Sequence, residues 1–179
     1  AKSNDVIGFD LNKKRINDLK KGFDDTFEID KKSLIRSRKL KFTSNLNDLK
    51  RSNCYIVTVP TPIDKFNNPD FSYLISASNM IGSLLKKKDI VIYESTVYPG
   101  ATEEICVPAL EKISKLKYNK DFFVGYSPER MNPGDKKHTV KNIVKVTSGS
   151  NKATANFVDK LYNLIVKVGT YKASSIKVA

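Results

Sequence analysis

The sequence predicts an α/β fold built on a doubly wound, mostly parallel sheet. Short apolar runs recur at residues 6–10 (VIGFD), 54–59 (CYIVTV) and 89–93 (DIVIY). Runs without alternation are what a strand covered on both faces requires. Stretches with apolar residues at helical spacing lie between them, and the connections are long enough to be right-handed crossovers.

Residues 6–10 form a strand that closes on Asp10, and a helix follows over 12–21 with Ile16 and Leu19 inward until Gly22 stops it. Residues 30–38 predict a short helix, 40–43 a short strand and 46–51 another helical turn or two. The strand at 54–59 is broken by Pro60 and Pro62, which cannot donate to a ladder and so leave Thr61 in a stiff loop at the strand's end. From Phe71, the positions Leu74, Ile75, Ser78, Ile81, Gly82 and Leu85 predict a helix running into Lys86, Lys87 and Lys88, cations suited to a helix C-terminus. After the strand at 89–93, Ile105, Ala109, Leu110, Ile113 and Leu116 mark another helix, which Pro108 either kinks or starts. Residues 122–124 are strand-like, as are 143–147; a turn is expected at 148–150. A helix over 153–164 with Phe157, Leu161 and Leu164 inward, a strand over 166–171, and a capped opening helical turn over 173–179 complete the pattern.

The chain has 179 residues, 40% of them hydrophobic, enough for one ordinary core. No apolar run is long enough to span a membrane and no signal-peptide pattern opens the sequence, so the expectation is a cytoplasmic protein. Cys54 and Cys106 make no disulfide framework and lie at no metal-ligand spacing, and core packing is the reading for both. The formal charge of +13 raises nucleic-acid binding. Its distribution argues against it: the arginines are Arg15, Arg36, Arg38, Arg51 and Arg130, and the other cations are lysines scattered along helical segments without interleaved aromatics.

Chemistry concentrates at 124–135, VGYSPERMNPGD, where a short strand runs into polar groups that no core needs. Pro128 ends the strand and presents Glu129 and Arg130 on a loop at its C-terminal end, which is where ligands sit in open α/β sheets; a solvated ion pair on a turn is the competing reading. Asp10, closing a strand, is the residue type that binds an adenosine ribose and opposes a 2′-phosphate, and equally one that meets a helix dipole. His138 reads as a solvated loop residue.

Five stretches in order, VIGFDLNKKRI (6–16), VTVPTP (57–62), ESTVYPGATEE (94–104), YSPERMNPGD (126–135) and ASSIKVA (173–179), resemble the NAD-dependent nucleotide-sugar 6-dehydrogenases, in particular the UDP-N-acetylhexosamine branch. The resemblance implies a Rossmann-like NAD-binding domain over residues 1–172, with 173–179 opening a helix toward a second domain. It implies that Asp10 and Arg15 contact the adenosine end of NAD. Thr61 and Thr96, with Val59, Pro60 and Ser95 beside them, would line the cofactor and catalytic cleft. Glu129 would act with Thr96 at the reacting centre, and Arg130 and Met131 would border the sugar nucleotide. No metal is implied; a homodimer through the connecting helix is.

Three departures qualify the resemblance. The family's opening strand and G-x-G-x-x-G turn have no counterpart, nor does its nucleophilic Cys with its Lys and Asn. Pro133 stands where UDP-glucose members carry a second Glu, which favours the N-acetylhexosamine branch. The sequence is therefore expected to be an excerpt that does not turn over or fold stably alone. A UDP-glucose or hydroxyacid-type dehydrogenase, and a non-enzymatic basic nucleotide- or nucleic-acid-binding module, are the alternatives.

Overall fold

The computed structural model describes residues 4–129 and 142–179, which fall into two compact units, Ala1–Ser52 and Asn53–Ala179. In the first, β1 (Val6–Phe9) pairs in parallel with β2 (Leu40–Thr43), Val6 opposite Leu40 and Phe9 opposite Thr43. Helix α1 (Lys13–Lys20) starts where the Asn12 side chain accepts from the Arg15 amide at 3.1 Å, and Gly22 ends it at a φ of +79° that favours glycine. Helix α2 (Lys31–Arg36) is capped by Asp30, which accepts from the Ser33 amide at 2.9 Å. The loop between the helices winds around buried Asp24, whose carboxylate accepts from the Thr26, Glu28 and Ile29 amides. Burial works to raise that carboxyl, but hydrogen bonds from Thr26 and Ile29 and the Arg15 charge together hold it below its ordinary range.

The second unit is a five-stranded sheet in the order β3 (Cys54–Val57), β4 (Ile90–Tyr93), β5 (Phe123–Tyr126), β6 (Lys145–Gly149), β7 (Thr170–Lys172). Strands β3, β4 and β5 run parallel, β6 runs antiparallel to β5, and β7 runs parallel to β6. Helix α3 (Ser72–Gly82) packs on α4 (Val107–Ser114), and α5 (Lys152–Asn163) packs on β6. Val91, Ile92, Tyr93, Leu110, Phe122, Val124 and Val158 are buried and form the core. Tyr93 is admitted there because its hydroxyl hydrogen-bonds Ser78 of α3 at 2.6 Å.

Several elements differ from expectation, each for a local reason. Strand β3 stops at Val57, before the prolines, and α3 stops at Gly82, so Lys86 bonds the buried Asp89 carboxylate through its backbone amide rather than closing a helix. The helix expected through 105–116 begins as a widened turn, Thr102–Cys106, in which the Val107 amide donates to the Thr102 carbonyl. Pro108 has no N–H for the Glu104 carbonyl, and the regular helix starts around it. Ser148 and Gly149 belong to β6, not to a turn, and the strand expected over 166–171 is β7 at 170–172. On α5 the inward stripe is Thr154, Val158 and Tyr162, whereas Phe157 and Leu164 are 41% and 54% exposed. The helix lies so close to Gly149 that the stripe is fixed by that contact and not by the largest apolar residues. Residues 173–179 form the expected capped turn: Ser175 Oγ accepts from the Val178 amide at 3.2 Å, and the Ala179 amide donates to the Ser175 carbonyl.

Candidate functional site

Because β3, β4 and β5 are parallel, the loops leaving them emerge at one end of the sheet. Two side-chain bonds join the first two loops. Ser95 Oγ donates to the Val59 carbonyl at 2.5 Å, and Thr61 Oγ1 donates to the Thr96 carbonyl at 2.7 Å. Pro60 and Pro62 lack amides, so the double-proline loop is tied to its neighbour through these hydroxyl bonds and its own stiffness. The structure thus brings Val59, Pro60, Thr61, Ser95 and Thr96 together, with Ser95 buried and Thr96 exposed.

The third loop is anchored by buried Ser127, whose amide donates to the Tyr93 carbonyl at 3.0 Å and whose hydroxyl donates to the Val146 carbonyl at 2.6 Å. Glu129 follows, its side chain 37% exposed. Arg130 and Met131 lie outside the described residues, as does His138.

Beneath this end of the sheet lies a cluster that sequence reading did not single out. Strand β6 runs antiparallel to β5 with Tyr126 opposite Ser148, and extending that pairing sets Lys145 opposite Glu129. Lys145 is 4% exposed. Its Nζ lies 3.0 Å from Glu94 Oε1 and 3.5 Å from Glu129 Oε2, and 5.7 Å from the centre of the Tyr162 ring. Tyr162 in turn donates its hydroxyl to Glu94 Oε1 at 2.8 Å. Burial, and then the Glu94 carboxylate, push the Tyr162 phenol up, so it remains a donor. The signal in the sequence was a lysine in the strand VKVT, on the same face as buried Thr147.

In the first unit, Asp10 follows β1 directly. One carboxylate oxygen accepts from the Asn12 amide at 2.8 Å, the other is 3.9 Å from Arg15 Nε, and the side chain is 42% exposed. The Arg15 guanidinium is drawn to Asp25 and Asp24 as well, and Lys14 pairs with Asp18 at 2.8 Å. Lys14 and Arg15 are thus answered by local carboxylates, and Asp10 offers its oxygens as acceptors. That suits a ribose diol and disfavours an added phosphate.

Neither cysteine is poised as a nucleophile. Burial and then Asp89 raise the Cys54 thiol to about 11. Burial likewise raises Cys106 to about 11, its side chain set among Ser78 and Tyr93.

Three parallel strands with tied loops at their carboxyl ends, and a carboxylate closing a strand of a parallel pair, define a dinucleotide-binding α/β protein. Residues 1–166 match the UDP-glucose/GDP-mannose dehydrogenase family, NAD binding domain, and the chain belongs to that family. It is 60% identical, over all 179 residues, to the UDP-N-acetyl-D-glucosamine 6-dehydrogenase of Pseudomonas aeruginosa, and 55% identical to the enzyme of that name from Salmonella typhi. It spans 42% of the length of each of these relatives. Among solved structures, a UDP-N-acetylmannosamine dehydrogenase from Pyrococcus horikoshii superposes with a TM-score of 0.87 at 32% identity, over 98% of this chain and 43% of that one. The ternary complex of GDP-mannose dehydrogenase from Pseudomonas aeruginosa shares the fold, with a TM-score of 0.89 at 22% identity over 99% of this chain and 42% of that one.

Proposed function

We propose that the protein oxidises the C6 hydroxyl of a UDP-N-acetylhexosamine to the uronic acid with NAD, supplying precursors for surface polysaccharide. The observation that carries this is the convergence of the Thr61, Thr96 and Glu129 loops at the carboxyl ends of the parallel strands β3, β4 and β5, in a chain 60% identical to a protein named for that reaction. NAD, when bound, supplies the hydride acceptor for both oxidations. Val59, Pro60, Thr61, Ser95 and Thr96 form the wall it lies against. Asp10 accepts from the adenosine ribose, and Arg15, steadied by Asp24 and Asp25, borders the same end.

The capture step needs a thiolate that adds to the C6 aldehyde, and the high thiol pKa of Cys54 and Cys106 assigns it to neither. It falls to a residue in the part of the family's sequence that these 179 residues do not span. Oxidation of the thiohemiacetal leaves a thioester, which water opens, and Glu129 takes the proton from that water. Arg130 and Met131 border the sugar nucleotide. A cytoplasmic homodimer is the assembly and location that accompany this reading.

The test is NADH formation by the protein expressed from its complete reading frame. UDP-N-acetylglucosamine should give two NADH per sugar, and UDP-glucose far less. Equal turnover of UDP-glucose, or none of the N-acetyl sugar, would sink the reading. Cofactor choice checks Asp10 separately: NAD should be preferred over NADP, and Asp10→Asn should narrow the preference by about tenfold, roughly 1.4 kcal/mol. An unchanged preference in the variant removes Asp10 from the ribose.

A further inference from the structure

We propose that Lys145 is the positioning residue for Glu129 in the hydrolysis of the thioester, an inference that rests on the function proposed above. A lysine at 4% exposure is uncommon, because an ammonium removed from water must be answered by opposite charge. On a strand held between β5 and β7 with α5 packed on it, an apolar residue would fill the same place without that requirement. Lys145 has two carboxylates instead, borne on two different loops at the end of the sheet where the chemistry is placed.

The two are not equivalent. Glu94 is the nearer, at 3.0 Å, its side chain is 16% exposed, and it also receives the Tyr162 hydroxyl. One carboxylate balances one ammonium, so Glu94 and Tyr162 account for the burial of Lys145. Glu129 is the second and looser carboxylate on the same ammonium. It stands at 3.5 Å and is more than twice as exposed as Glu94. The antiparallel turn of β6 is what delivers Lys145 to this end of the sheet, since a parallel β6 would begin at the other. Lys145 therefore acts as a fixed post. It is locked from below by Glu94 and Tyr162, and it sets the direction of the Glu129 carboxylate beyond the end of β5.

In the step concerned, a water oxygen bonds to the thioester carbonyl carbon and its proton passes to Glu129. The carbon–sulfur bond breaks, and its electron pair leaves on the sulfur as thiolate. No electrons are exchanged with the cofactor. A misdirected Glu129 slows this step and leaves the preceding ones intact, so the acyl-enzyme accumulates.

The experiment uses the protein from its complete reading frame with NAD and UDP-N-acetylglucosamine. Lys145→Met should lower steady-state turnover about 100-fold, the scale of a lost general base. It should retain the first-turnover burst of NADH, and intact mass measurement should show the acylated protein. The Glu129→Gln variant should behave the same way, and the double variant no worse than either single one, because residues acting as a unit are not additive. Lys145→Arg, which keeps the charge, should recover part of the rate. Loss of burst and turnover together, wild-type turnover, or a full additional loss on the Glu129→Gln background overturns the proposal. Where Lys145→Met does not fold, Lys145→Gln is read in the same way, and failure of both to fold also overturns it, leaving the cluster structural. If the wild-type protein forms neither NADH nor acyl-enzyme, the assigned reaction fails and this inference with it. A working wild type with an unresponsive Lys145 sinks the inference alone.

Discussion

Replacing Glu129 with glutamine is expected to slow turnover about 100-fold and to leave melting nearly unchanged. The reason for the first effect is chemical. Glutamine keeps the shape and one acceptor oxygen but cannot take a proton from water, so the thioester waits for unassisted hydrolysis. The reason for the second is electrostatic. Glu129 pairs with Lys145 at 3.5 Å with its own side chain 37% exposed, and the amide oxygen of a glutamine there can still accept from the ammonium. Lys145 keeps Glu94 at 3.0 Å, so no ammonium is left buried without a partner. A domain of this size shifts its Tm by roughly 2 to 4 °C per kcal/mol, which sets the tolerance for the measurement. Steady-state rates together with a calorimetric melt decide it. Full activity would remove Glu129 from the reaction, and loss of the cooperative transition would make it a folding residue.

The strands and the loops that leave them were legible in the sequence because both signals are local. An apolar run such as IVIY, or two prolines one residue apart, states its conformation without reference to the rest of the chain. The motif residues 57–62, 94–96 and 127–129 were therefore placed correctly at strand ends, and their mutual bonds follow from the parallel register. What was not legible depended on pairing between distant segments. Lys145 looked like one more lysine in a chain of net charge +13, and only the antiparallel register of β6 against β5 turns it toward Glu94 and Glu129. Glu94 was read as part of a motif without a partner, although it is the carboxylate most fully engaged in the cluster. The face of α5 was misjudged for the same reason. Phe157 and Leu164 have the larger apolar side chains, but the helix rotates to put small residues against β6 and Tyr162 under the site.

That rotation makes Gly149 the most sensitive backbone position in the second unit. A Cβ placed there would sit 2.3 Å from the Ala155 amide nitrogen and 2.7 Å from both Ala155 Cα and the Thr154 carbonyl carbon. All three are backbone atoms of α5, so no rotamer change relieves the overlap, and the helix itself must back away from the sheet. The glycine is required by this approach and not by its dihedral angles, since it is absent from the positions with positive φ. Moving α5 lifts Val158 and Tyr162 from the buried cluster they form with Ile92. Gly149→Ala should accordingly cost about 3 kcal/mol, at the upper end of what overpacking a core by one methyl imposes. A denaturant midpoint lowered with an unchanged slope would measure it. The substitution should also reach the site, because the Tyr162 hydroxyl that steadies Glu94 rides on the displaced helix. The neighbouring Gly125→Ala offers the comparison: its Cβ would meet one side-chain atom, Val158 Cγ2, at 2.7 Å and the Ser148 carbonyl oxygen at 3.2 Å, so it overpacks the core too, but without three helix backbone atoms inside 3 Å. Gly149→Ala should therefore be the more damaging of the two, and equal losses would mean that the approach of α5 to β6 is looser than its backbone distances require.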